Sequence, residues 1–185
     1  MFLTQLWIPI LVSAVLVFVA SSVIHMVLKW HNSDYHPLPN EDDVRAVIRA
    51  GHPSPGLYLM PYCADMKDMA TPDFKKKFTD GPVGYLALRP NGPPRMGPSL
   101  AQWFVLTLFI SAFAAYLASK TLSAEASFGQ VVRVTGLLSF LAYGAGSVQA
   151  GIWFGKTWPS VAKELLDALI YGAITGAVFC WLWPR

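Results

Sequence analysis

Four long runs of apolar residues, separated by polar stretches, dominate the pattern along this chain of 185 residues. About 20 apolar residues are enough for an α-helix to cross a bilayer core of roughly 30 Å. The pattern therefore predicts four transmembrane helices, at Trp7–Leu28, Leu100–Ser119, Val134–Gly155 and Leu165–Trp183. Ser99 and Gln102 stand at capping-box spacing and predict the start of the second helix.

The stretch between the first two runs has a different pattern, with short elements separated by turn residues. Asn40–Ala50 has acidic residues at its start, arginines later and one apolar face, which predicts a short helix. A second short helix is predicted from Pro72, with Thr71 as its cap. Gly56–Met60 and Val83–Leu88 are predicted strands.

These elements define the predicted fold class. It is an all-α integral membrane protein with four transmembrane helices and a small α+β extramembrane cap inserted between helices 1 and 2. Residues 1–28 form the first helix, residues 29–98 the cap, and residues 99–185 a three-helix transmembrane bundle.

Small residues recur at helical spacing in the third and fourth runs. Such residues let helices approach closely in lipid, where no hydrophobic force drives them together. The third run has small residues on two sides, so we expect it to be the central helix. The glycines predicted at helix contacts are Gly144, Gly151, Gly155, Gly172 and Gly176.

Composition agrees with a membrane protein, since charged residues make up 14% of the chain against about 25% in soluble domains. The net charge of +3 is spread along the sequence, which argues against a nucleic-acid partner. The predicted partners are membrane lipids and either another membrane protein or a second copy. Eleven Lys and Arg residues fall on the side of the cap and three on the side of both termini. This split predicts a cytoplasmic cap and external termini.

A candidate polar cluster consists of His25, Gln149 and Asp167, because the predicted topology brings all three to the same end of the bundle. Intramembrane ionisable groups are typical of ion paths and proton relays. The alternative interpretation is an ordinary wet helix end, favoured by Lys163 and Glu164 just before Asp167.

Two further groups of possible ligands lie in the polar stretch. His52, Met60, Cys63, Met66 and Met69 offer soft ligands suited to Cu(I). Methionines that pack a small core are the competing interpretation. His31 and His36, next to a proline-containing turn, are expected to make surface hydrogen bonds.

No nucleophile elbow, P-loop, HExxH or dinucleotide fingerprint occurs in the sequence. This absence argues against an enzyme of a familiar kind, and no cofactor is predicted; an enzyme that acts on lipid, with the cap over an interfacial site, is a third hypothesis. The first functional hypothesis is a structural or accessory subunit that packs with other membrane proteins. The alternative is a small transporter or channel for protons, ions or a small solute that uses the polar cluster.

Overall fold

The computed structural model of the protein describes residues 2–184, which are mostly helical. In chain order the helices are α1 (Trp7–Ser22), α2 (Glu41–Ala50), α3 (Pro72–Asp80), α4 (Met96–Thr121), α5 (Phe128–Phe154) and α6 (Trp158–Trp181). The strands are β1 (Gly56–Met60) and β2 (Gly84–Leu88). A π-helical turn, Val23–Leu28, continues α1, and a 3₁₀ turn, Trp30–Asp34, follows it.

Within residues 2–184, four helices are long and apolar enough to span a membrane, as the hydropathy pattern predicts. The first coincides with the predicted Trp7–Leu28, while α4, α5 and α6 begin earlier than predicted. α4 can begin at Met96, before Pro98, because proline is tolerated in the first turn of a helix. Ser99 therefore lies inside α4 and donates a hydrogen bond to the carbonyl oxygen of Arg95.

The capping box lies instead at the start of α5. Ser127 Oγ accepts a hydrogen bond from the backbone N–H of Gln130, whose side chain accepts one from the N–H of Ser127. These two bonds satisfy backbone donors that have no partner within the helix.

The chain divides into two compact units. The second unit is His36–Pro94, and the first contains the four long helices. The predicted boundaries, 29 and 98, thus differ by several residues at both ends. The turn Trp30–Asp34 belongs to the helical unit because it packs against α6.

The second unit confirms the short elements predicted within it. β1 and β2 pair antiparallel, with Gly56 opposite Leu88 and Met60 opposite Gly84. Thr71 Oγ1 caps α3 by accepting a hydrogen bond from the N–H of Phe74, which is buried.

In the helical unit, α1 packs mainly against α4 and α6, and α5 packs against the same two helices. The closest approach is between α5 and α6. A Cβ added at Gly172 would lie 2.7 Å from the carbonyl oxygen of Gly136, and one at Gly176 would lie 3.3 Å from that of Val132. Gly144 and Gly151 also face α6, where Ala168 and Val161 lie.

Gly155 was predicted at a helix contact, but in the structure it ends a helix. Its φ is +70°, and it ends α5 in the left-handed conformation with open space around the position of a Cβ. The expectation of a central third helix is also corrected. Half of the most apolar segment of α6 is buried, against a third of the corresponding segment of α5. The reason is that one of the two small-residue sides of α5 is exposed around Gly146.

Candidate functional site

The candidate site begins where α1 ends. His25 lies in the π-helical turn, and Lys29 then adopts a left-handed conformation with φ of 54°. This reversal brings His31 back beside His25, so that the two imidazole rings stack with centroids 4.8 Å apart and planes 8° from parallel. π-helical turns of this kind are frequent at functional sites.

Asp167 of α6 completes a three-residue cluster with the two histidines. Its Oδ2 lies 2.8 Å from Nε2 of His31 and 3.9 Å from Nε2 of His25. Asp167 is 4% exposed, and a carboxylate is costly to bury unless it is paired and hydrogen-bonded. Asp167 therefore needs either a proton or a positive charge beside it.

A second carboxylate, Asp34, supports the cluster from the other side. Nδ1 of His31 lies 2.9 Å from Oδ2 of Asp34. Lys163 Nζ donates hydrogen bonds to Oδ1 of Asp34 at 2.7 Å, to Ser33 Oγ at 2.7 Å and to the carbonyl oxygen of Trp30 at 2.9 Å. The bond from Lys163 is the main cause that lowers the pKa of Asp34 to about 2, although desolvation opposes it. Asp34 is thus ionised at neutral pH.

The protonation of the two histidines follows from their partners. A neutral imidazole has one N–H group, whereas His31 has a carboxylate oxygen at each ring nitrogen. A second proton or another cation is therefore needed beside His31. Nδ1 of His25 lies 3.0 Å from the carbonyl oxygen of Ser21, which can only accept. Nε2 of neutral His25 consequently presents a lone pair towards Asp167.

A pocket of about 430 Å³ adjoins the cluster, with Asp167, Tyr143 and Tyr171 among its polar lining residues. Trp103 and Leu100 contribute apolar walls. Among the lining residues of this pocket, three buried oxygens have no hydrogen-bond partner within residues 2–184: Oδ1 of Asp167 and the hydroxyls of both tyrosines. Buried polar atoms are almost always hydrogen-bonded, so this pocket suits a molecule or ion that would interact with them.

A second, more polar pocket of about 450 Å³ lies next to the first. It is lined by His31 and Asp34, and it shares His25 and Glu164 with the first pocket. Glu164 is paired with Lys156. The cluster therefore lies between two cavities of different polarity.

The structure brings together two of the three residues of the predicted polar cluster, His25 and Asp167. Gln149 is exposed and is not among the residues that line either pocket. His31 takes the third place, although the sequence predicted only surface hydrogen bonds for it. The sequence signal that could have identified it is its position six residues after His25, beside an acidic residue in WHNSD.

The predicted soft ligands have other surroundings. His52 and Cys63 line two different pockets of the second unit, and Cys63 Sγ donates a hydrogen bond to the carbonyl oxygen of Asp65. Met60, Met66 and Met69 are exposed. This geometry gives the Cu(I) interpretation no support.

The candidate site is thus His25, His31 and Asp167, with Asp34 and Lys163 behind it. No protein-family model, curated protein or solved structure matches this chain.

Proposed function

We propose that the chain is a multi-pass membrane protein that carries a proton or another small cation by way of the cluster His25, His31 and Asp167. The observation that carries this proposal is the burial of Asp167 beside two imidazoles, on a helix apolar enough to cross a membrane. Ionisable groups within membrane spans are costly and mark ion pathways and proton relays. Of the two hypotheses left open by the sequence, this geometry favours transport.

The burial of Asp167 within α6 supports a site rather than a wet helix end. The helix α6 starts at Trp158, nine residues earlier, which corresponds to about 14 Å at a rise of 1.5 Å per residue. The predicted span, in contrast, began only two residues before Asp167. Glu164 and Lys163, which suggested a solvated end, are engaged in ion pairs with Lys156 and Asp34.

Access to the cluster is one-sided in this conformation. The opposite end of the bundle is closed by a buried apolar cluster that includes Leu6, Val131 and Phe179. An open channel would need a continuous path through this region. One-sided access instead favours a carrier that alternates between two conformations, with the site reachable from one side at a time.

The orientation that we propose follows the distribution of Lys and Arg. The cluster lies at the end of the bundle where the chain continues into the second unit, His36–Pro94, and where it enters the bundle again. With eleven basic residues on that side and three on the other, the second unit and the entrance to the site are cytoplasmic, and both termini are external.

Reconstituted vesicles with a trapped pH indicator test the proposal. A potassium gradient with valinomycin drives proton entry, and the wild-type protein should carry a flux above that of protein-free vesicles. Asp167→Asn removes the buried charge without changing its shape, and we expect a loss of at least about tenfold, which corresponds to 1.4 kcal/mol. Gln149→Ala is the matched control, because Gln149 is polar and exposed. An equal flux for Asp167→Asn and wild type, or no flux of protons or metal ions in wild type, would contradict the proposal.

A second candidate function, the accessory subunit, is favoured by one observation on α5. Ala142 and Gly146 form an exposed small-residue side, and a Cβ at Gly146 would meet nothing within 4 Å. Such a side is suited to close contact with another membrane helix or with lipid. Mass determination of the complex purified in a gentle detergent distinguishes the two candidates. A stoichiometric larger partner would favour the accessory role, whereas a chain that is isolated without one would favour transport.

A further inference from the structure

We infer that His25, His31 and Asp167 form a binding site for a divalent transition-metal ion, with Zn²⁺ as the representative of its class. This inference deepens the proposed function by naming its cation. It rests on that function for the role of the site, while the binding itself is argued from the cluster alone. Imidazole and carboxylate groups are the ligands that Zn²⁺ and its first-row neighbours take in proteins.

The distances within the cluster suit such an ion. One ring nitrogen of each histidine and a carboxylate oxygen of Asp167 all lie within 4.8 Å of one another. Tetrahedral Zn²⁺ with bonds of about 2.0–2.1 Å holds its ligand atoms roughly 3.3–3.4 Å apart. The observed separations from Oδ2, 2.8 Å to His31 and 3.9 Å to His25, lie on either side of this value. Rotation of a side chain, that of His25 above all, would bring the three ligand atoms to this spacing.

Both histidines make, at Nδ1, the kind of hydrogen bond that metal-ligating histidines make with their other nitrogen. A ligating histidine almost always donates its other N–H to a carboxylate or a backbone carbonyl, which fixes the tautomer and directs the free nitrogen to the metal. Here Nδ1 of His31 faces Asp34, and Nδ1 of His25 faces the carbonyl oxygen of Ser21. Lys163 in turn holds Asp34 in place.

The lack of a hydrogen-bond partner at Oδ1 of Asp167 favours a divalent ion over a proton alone. A proton shared between His31 and Asp167 would satisfy the contact at 2.8 Å, but Oδ1 of Asp167 would still lack a partner. A metal ion bound by both histidines and the carboxylate would place a cation beside this oxygen. Three protein ligands leave a coordination position open, and the pocket beside Tyr143 and Tyr171 provides the space for water or an exchanging ligand.

His25 is the ligand that must move. Its side chain is 52% exposed, and its ring is parallel to that of His31, so rotation is needed before both lone pairs point at one ion. A ligand that can swing in and out provides a way to bind and release a cation that is carried. His31 and Asp167, which are buried or nearly so, would form the fixed part of the site.

The test is metal binding by the full chain in detergent, after treatment with a chelator. Calorimetric titration with Zn²⁺ and metal analysis after equilibrium dialysis should give one ion per chain. We expect Asp167→Asn and His31→Gln to weaken binding at least a hundredfold. Asp34→Asn should weaken it ten- to a hundredfold through the orientation of His31. His36→Gln, which changes an exposed histidine outside the cluster, is the matched control and should bind like wild type.

His25→Gln keeps the inference testable if the buried variants fail to fold, since a half-exposed side chain is dispensable for folding. Weaker Zn²⁺ binding is expected for His25→Gln, and unchanged stoichiometry and affinity in this folded variant would overturn the metal site. Proton flux that depends on Asp167, in a protein that binds no Zn²⁺, would overturn it and leave the proposed function standing. Stoichiometric Zn²⁺ binding without flux of protons or metal ions would support the metal site and contradict the proposed carrier.

Discussion

The strength of the contact between His31 and Asp167 can be predicted from its geometry and measured by a double-mutant cycle. The changes are Asp167→Asn and His31→Gln, alone and together. A parallel cycle pairs Asp167→Asn with His25→Gln. Both cycles are run with a chelator present, so that only contacts within the protein contribute. Because the Asp167 variant is common to both cycles, the difference between the two coupling energies shows which histidine interacts more strongly with Asp167.

The two contacts differ in distance and exposure. His31 meets Asp167 at 2.8 Å, and its side chain is 12% exposed against 5% for that of Asp167. A hydrogen bond that involves a charged group contributes about 1.5–3 kcal/mol, so we expect a coupling of about 2 kcal/mol. His25 lies 3.9 Å away and is 52% exposed, which places it with solvent-screened pairs worth less than about 1 kcal/mol.

Denaturant unfolding in detergent micelles, followed by tryptophan fluorescence, provides the free energies for each cycle. Independent sites add to within about 0.5 kcal/mol, so a coupling above this value is significant. Couplings below it for both histidines would refute the buried pair and restore the interpretation of a wet helix end. A larger coupling for His25 than for His31 would refute the assignment of His31 as the main partner.

Three further predictions concern packing, orientation and backbone geometry. Gly172→Ala should lower the free energy of unfolding by about 1–3 kcal/mol, because its Cβ would lie 2.7 Å from a carbonyl oxygen of α5. Gly146→Ala, in open space, should be neutral or slightly stabilising, and equal losses of stability would contradict the close contact. In a Cys180→Ser background, a membrane-impermeant thiol reagent should label Cys63 only after lysis, whereas labelling of intact cells would place the second unit outside. Lys29→Gly should be tolerated, and Lys29→Val should cost about 1–2 kcal/mol in thermal unfolding, since φ is 54° there; a fully stable Val variant would argue against this turn.

Local patterns predicted the short elements well because the interactions that form them are local. β1 has the predicted bounds, Gly56–Met60, and Thr71 caps α3 as its place before Pro72 indicated. The starts of the long helices were predicted too late. Hydropathy marks where a helix becomes apolar, while the helix itself begins earlier, at Met96 in α4 and Phe128 in α5.

The candidate site was predicted only in part because it depends on contacts between distant residues. His31 and Asp167 are 136 positions apart, and their contact requires a π-helical turn and a left-handed Lys29, neither of which has a hydropathy signal. Topology brought Gln149 to the correct end of the bundle, but it does not indicate which face of a helix a residue occupies. Gln149 is on an exposed face of α5.

The packing of α6 connects the fold to the site. Asp167 and Tyr171, four residues apart, lie on the face of α6 that borders the pocket, while Ala168 and Gly172 lie on the neighbouring face, against α5. Since α6 also packs against α1, the close glycine contact with α5 fixes how far α6 lies from the turn that holds His31. A hydrogen bond of 2.8 Å tolerates little displacement, so the small residues of α6 help to determine whether the buried carboxylate can meet its partner.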